Sequence, residues 1–258
     1  MPPRPVPSPR RTEILSELVS DLQRPGFTSA RVARFRWNGR DWILKDYAPC
    51  SWLGRWVIGP FSLWRERRAY GLLQGIDGVP EMLPAPDRRA LIIAFVPGRP
   101  LSREALGDPE RFLAALERLL AQIHERGIAH LDLRTKTNLI VDERGLPWLI
   151  DFSSAVAFGR WPLVGSLFLA LGRFTDRSAL LKYRARYAPE MLGESEEAEL
   201  RRHGLVRKLL VVPALWHAWR SRRRAKRDGN AKRSGNAKRD GSAKRERKQQ
   251  LNAPGGAP

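Results

Sequence analysis

The stretch IAHLDLRTKTNLIVDERGLPWLIDF, Ile128 to Phe152, holds an aspartate near each end. Asp132 lies two positions after His130 and opens a polar loop. Asp151 closes an apolar run. NLIVD and PWLID read as two short strands around the turn ERGL, with Asp142 in the turn and Asn138 between the outer aspartates. Two readings are open at this point. The outer aspartates hold something between them, or the segment is a surface hairpin whose ends happen to be acidic.

Working outward, a helix is expected before this stretch. Asp108 caps PERFLAALERLLAQIHERG, with Pro109 in its first turn and Gly127 at its end. Phe112, Leu113, Leu116, Leu119, Leu120 and Ile123 give that helix one apolar face. Upstream, ARVARFRW alternates, Asn38–Gly39 makes a hairpin turn, and RDWILKDY follows as the partner strand. TEILSELVSDL has apolar residues at helical spacing, with Thr12 as its cap. An aromatic-rich connection leads to the helical RERRAYGLLQGI, and GVPEMLPAPDRRALIIAFV predicts two more short strands. PGRPLS looks like a linker. Beyond Phe152 the sequence reads as helices to about Trp219, with Pro189 a helix boundary.

The chain has 258 residues and a formal net charge of +20. From Arg220 onward it carries fourteen Lys/Arg against three Asp/Glu, so over half of the excess sits at this end. Here AKRDGN, AKRSGN, AKRDGS and AKRERK repeat without an apolar face to bury, which predicts a disordered tail able to meet phosphates, acidic lipid or nucleic acid. Single Cys50 excludes an internal disulfide and reads as a structural thiol. No apolar run approaches the roughly 20 residues of a membrane span, so a soluble or peripheral protein is expected. WLGRWVIGPFSLW and RWPLVGSLFLAL put tryptophans and aliphatics beside arginines. Core packing is the expectation there, with an interfacial surface as the alternative.

The order of polar groups suits phosphoryl transfer. One carboxylate orients an attacking hydroxyl, while a second carboxylate and a side-chain carbonyl hold magnesium on nucleotide phosphates. HLDLRTKTN resembles the catalytic loop of protein-kinase-like enzymes, and LIDFS resembles their metal-binding Asp-Phe-Gly segment. WILKDY looks like the strand carrying their nucleotide lysine, at Lys45, and WRERRAY like the helix carrying its glutamate partner, at Glu66. The resemblance covers roughly Phe27 to Ala155. Within the superfamily it is nearest to the small bacterial lipopolysaccharide-core kinases and the RIO-type kinases.

That resemblance implies an α+β, two-lobed kinase-like fold. It divides the chain into a disordered start at 1–11, a β-rich N-lobe with its leading helix at 12–97, a helical C-lobe at 98–219 and the basic tail at 220–258. It implies an ATP- and Mg2+-dependent kinase. Asp132 is then the catalytic base, with Arg134, or Lys136 instead, facing the transferred phosphate. Asn138 and Asp151 bind magnesium, and Lys45 meets the α/β phosphates, held by Glu66. Ile93 lies near the adenine, with the backbone of Ala94 and Val96 facing the base edge. His130 braces the loop. The acceptor would be a sugar hydroxyl of a glycolipid or a protein serine or threonine, placing the enzyme in the cytoplasm or on the inner membrane's cytoplasmic face.

Three departures stand out. Asn138 follows Asp132 by six residues where five is usual, so the loop must bulge. Ser153 replaces the glycine after Asp-Phe. No G-x-G-x-x-G precedes Lys45, leaving Gly26, Thr28 and Ser29 of GFTSARV to cover the phosphates. A non-catalytic, kinase-shaped binding module is therefore the alternative, and a nucleic-acid role resting on the tail alone is a third. No metal spacing fits zinc, and no G-x-S-x-G marks a serine hydrolase.

Overall fold

The computed structural model of the chain describes residues 8–157 and 162–202, the side chains of 162–168 excepted. The six-residue repeats and the apolar Leu209–Trp219 segment lie outside the described residues. The fold is α+β, built on small antiparallel sheets. A helix α1 (Arg11–Ser16) precedes the strands β1 (Leu18–Gln23), β2 (Arg31–Trp37) and β3 (Arg40–Asp46). A five-residue π-helical stretch, Gly54–Ile58, runs straight into α2 (Gly59–Leu73). β4 (Met82–Leu83) and β5 (Ala90–Ala94) complete a five-stranded sheet in the order β1-β2-β3-β5-β4.

After β6 (Arg99–Pro100) come α3 (Pro109–Glu125), β7 (Ile128–Ala129), β8 (Leu139–Val141), β9 (Pro147–Leu149), β10 (Val156–Ala157) and α4 (Pro162–Tyr187). β6, β8 and β9 form one small sheet, and β7 pairs with β10. Residues 194–202 are helical. Among the described residues no helix is long and apolar enough to cross a membrane.

Local chemistry accounts for several of these elements. Asn38 and Gly39 both take positive φ, 49° and 73°, as a two-residue turn matching the twist of β2 and β3 requires. The Asp108 carboxylate accepts from the Arg111 N–H at the start of α3, with Pro109 at the first helical position. Its six periodic apolar residues are all buried. α4 ends at Tyr187, just before Pro189, whose ring cannot continue a helical ladder.

Three expectations are corrected. The helix expected from Thr12 to Leu22 stops at Ser16, and Leu18–Gln23 instead pairs with β2 along the sheet edge. Pairing of open backbone groups outweighs an apolar spacing of which only Ile14 is fully buried. Arg11, assigned to a disordered start, opens α1 and ion-pairs with buried Asp46 at 2.6 Å and with Asp87 at 2.8 Å. The aromatic connection before RERRAY is helical, and core packing fails for it: Trp52, Trp56, Phe61 and Trp64 all face outward.

One core cluster gathers Leu63, Tyr70 and Leu73 from α2, the apolar face of α3, Phe152, and Leu180 and Tyr183 from α4. A second, between the five-stranded sheet and α1, holds Ile14, Phe35, Trp42, Leu44 and Ile92. Alternation along β3 therefore sends Leu44 and Asp46 to one face and Lys45 to the other.

Candidate active site

Lys45, Glu66 and Asp151 come from three separate segments and meet at one point. The Lys45 ammonium donates to Glu66 Oε2 at 2.8 Å and to Asp151 Oδ1 at 2.9 Å. Glu66 is on the inner face of α2, its side chain 1% exposed, whereas that of Asp151 is 41% exposed. Burial pushes the Glu66 carboxyl up to about 7, against the pull of Lys45. Burial also opposes the charge on Lys45, but two carboxylates outweigh it and its pKa is raised. At Asp151 burial is again outweighed, and the neighbouring ammonium keeps the carboxyl below its ordinary value.

Asp151 follows β9 in the left-handed region, φ 62° and ψ 69°, rare for a residue with a Cβ. That conformation turns the chain sharply into a short helical turn, Phe152–Ser154, whose Ser153 N–H faces Asp151 Oδ1 at 3.4 Å. Phe152 points inward, edge-on to Tyr70 of α2 with centroids 5.0 Å apart and 4.8 Å from the His130 ring. Arg65 of α2 donates to the carbonyls of Ser154 and Ala155. α2 is thus fastened to the segment after Asp151 on two sides.

Asp132 occupies the loop after β7. Thr135 Oγ1 donates to its Oδ1 at 2.6 Å, and Asn138 Nδ2 donates to its Oδ2 at 3.1 Å. One helical turn, Lys136–Asn138, absorbs the extra residue between Asp132 and Asn138. The Asn138 carbonyl accepts from Ile150 N–H, so the β8–β9 ladder sets Asn138 beside the residue preceding Asp151. Asn138 spends its amide N–H2 on Asp132, and its side-chain oxygen remains to meet a cation. An exposed carboxylate with one amide oxygen fits magnesium, which keeps most of its shell for water and phosphate oxygens. Among the described residues no group of three His, Cys, Asp or Glu side chains is placed to hold a metal.

The loop hangs on residues the sequence reading overlooked. Asp176, fully buried on α4, accepts from His130 N–H at 2.8 Å, from Leu131 N–H at 2.9 Å, and contacts His124 Nε2 at 3.0 Å. Leu131 takes φ 65° between them. Gly172 permits this approach, since a Cβ there would lie 2.4 Å from the Ala129 Cβ. Tyr183 donates to the Leu133 carbonyl at 2.6 Å. His130 accepts from Asp132 N–H and contacts the Ile150 carbonyl, bracing loop against strand. The available signal was a lone acid within the apolar stretch of α4, because a buried carboxylate demands donors.

The remaining predicted residues are less central. Arg134 donates to Ser178 on α4, and Lys136 sits over the Tyr187 ring at 5.5 Å. Neither contact involves Lys45, Glu66 or Asp151. Ala94 gives its N–H to Glu81 and Phe95 gives its N–H to Asp41, so Ala94 has only its carbonyl for a base edge. Ala94 and Val96 line a cavity of about 730 Å³ with Arg40, Ile76, Arg144 and Trp148. It contains none of Lys45, Glu66, Asp132 and Asp151, and so lies apart from the carboxylate cluster. Gly26 donates its N–H to the Ser29 carbonyl, closing the turn between β1 and β2. Buried Cys50 packs with its thiol toward the Ser29 carbonyl.

Neither a family model nor a curated protein matches the chain.

Proposed function

We propose that the chain is an ATP- and Mg2+-dependent phosphotransferase acting on a hydroxyl, with a kinase-like two-lobed arrangement. The observation carrying this reading is Lys45, held between a buried glutamate and a more exposed aspartate. A buried ion pair of this kind is costly to build and is often worth no more to stability than apolar packing, which favours a role for its geometry. A fixed ammonium beside a carboxylate at a strand end suits a nucleotide whose phosphates need both a cation and a metal ligand.

Each residue then has a role. Glu66 orients Lys45, and Lys45 meets the α/β phosphates. Asp151 and Asn138 would hold magnesium, which when bound neutralises charge developing on the phosphates. Asp132, oriented by Thr135 and Asn138, accepts the proton as the acceptor oxygen bonds to the γ-phosphorus. The bond from that phosphorus to the bridging oxygen breaks, and ADP leaves with the electron pair. The acceptor is a sugar hydroxyl of a lipopolysaccharide-type glycolipid or a protein serine or threonine, reached from the cytoplasmic side.

The test supplies γ-labelled ATP and Mg2+ with a glycolipid extract or with a protein extract, and measures which fraction gains label. Asp132→Asn should retain nucleotide and cut turnover at least about a hundredfold, as general-base removal does. Asp151→Asn should weaken binding of the metal-nucleotide itself. Equal turnover in wild type and both variants sinks the assignment.

A further inference from the structure

We propose that the outward face of the π-helical stretch and α2 docks the protein onto an anionic lipid bilayer. Trp52, Trp56, Phe61 and Trp64 are 71%, 56%, 61% and 57% exposed, and Leu53 and Val57 lie beside them, also exposed. Spacings of three to five residues set these side chains along one side of a continuous helix. Glu66 occupies the opposite side, turned to Lys45. Soluble proteins rarely leave so many large apolar side chains contiguous, and such a patch marks an interaction surface.

The charge around the stripe selects the occupant. From Ala48 to Leu73 the chain has four arginines and one acid, and that acid, Glu66, is buried. Arg68 lies over Trp64 at 6.0 Å and Arg89 over Trp56 at 5.1 Å, while Arg65, over Phe61 at 5.9 Å, also holds the carbonyls of Ser154 and Ala155. Indole rings with an apolar body and an N–H edge settle at headgroup depth, and arginines beside them meet lipid phosphates. A second copy applied to this face would set arginine against arginine, since Asp87, bonded to the Arg89 N–H, is already paired with Arg11. The basic end of the chain carries the same sign of charge. An anionic bilayer supplies both the apolar layer and the opposite charge.

The experiment uses the full chain with phosphatidylcholine vesicles, with and without phosphatidylglycerol. Co-sedimentation measures partitioning, and lipids brominated near the glycerol end measure tryptophan depth by quenching. Wild type should bind the anionic vesicles and be quenched. The triple variant Trp52→Ser/Trp56→Ser/Trp64→Ser keeps every basic residue, so any difference belongs to the face. Its partitioning should fall roughly tenfold or more, with quenching reduced in step. Because these side chains are exposed, its melting midpoint should match wild type; the three single substitutions, each lowering partitioning, provide the same test if the triple variant does not fold. Partitioning of the variants within twofold of wild type overturns the proposal. So does vesicle-independent dimerisation that the substitutions abolish, which would assign the face to a second copy.

Discussion

Replacing Asp176 by alanine should loosen the loop that carries Asp132 without altering Lys45, Glu66, Asp132 or Asp151 themselves. In the folded protein this carboxylate is the acceptor for a buried backbone N–H, His130 at 2.8 Å, and a partly buried one, Leu131 at 2.9 Å. Without it both donors are orphaned, at about 1–3 kcal/mol each, so the loss is roughly 2–6 kcal/mol. The left-handed conformation of Leu131 adds to the effect, since it persists only while its surroundings impose it. Asp176→Asn is the informative control. Its amide oxygen can serve one N–H, but its amide nitrogen would face the other, donor against donor. Asparagine should therefore recover only part of the loss. Urea melts of wild type and both variants give the ΔΔG, and the phosphotransferase assay proposed above, run on the folded fraction, gives the effect on Asp132. A ΔΔG below about 1 kcal/mol for Asp176→Ala would refute the reasoning, because the buried His130 amide alone, left unpaired, costs about that much.

Lys45→Met removes the cation that draws the Glu66 carboxyl down. Glu66 is raised to about 7 from an ordinary 4.5, so its contribution to stability is fully present below pH 4.5 and is lost as pH rises through 7. Raising it further should widen the melting gap between wild type and Lys45→Met from pH 5 to pH 8; a constant gap would show that the pair carries no charge. Arg11→Ala should cost about 3 kcal/mol by leaving Asp46 buried with its main cationic partner gone, and an unchanged thermal midpoint would return Arg11 to an unimportant terminus. Gly78→Ala should destabilise by about 1–3 kcal/mol, because φ is +94° there and a Cβ would lie 2.8 Å from the Pro147 carbonyl; denaturant titration reads this directly.

Where local chemistry dictates geometry, the sequence was readable. Asn38–Gly39 admits few turns, Asp108–Pro109 starts a helix, and the alternation through Lys45 sets which face it occupies. Lys45, Glu66 and Asp151 could be picked out only jointly, because WILKDY, WRERRAY and LIDFS follow one another in the order of the kinase-like motifs they resemble; alone, Lys45 and Glu66 read as ordinary surface charges. Leu18–Gln23 could not, since its partner strand lies farther along the chain and the pairing of edges is not a local property. The tryptophans of the α2 region misled for another reason. Composition reports how apolar a segment is, while exposure depends on which side the core lies. Asp176 showed only as a lone acid within α4, and its role stayed hidden because the main-chain groups it accepts from leave no side-chain signature. The same holds for Arg65, whose acceptors are the carbonyls of Ser154 and Ala155.

The anchoring of the Asp132 loop by α4 has a consequence for the growing chain. Lys45 meets its acceptor Asp151 across 106 positions, and His130 meets Asp176 across 46. Synthesis delivers the five-stranded sheet first, then the loop, and only afterwards the helix that fixes it. A nascent chain therefore passes through a stage in which the sheet has all its strands while the backbone donors at His130 and Leu131 still face water. Domains form as their last required segment emerges. For this chain that segment includes Asp176, and the loop carrying Asp132 takes its folded form only once α4 has cleared the ribosome.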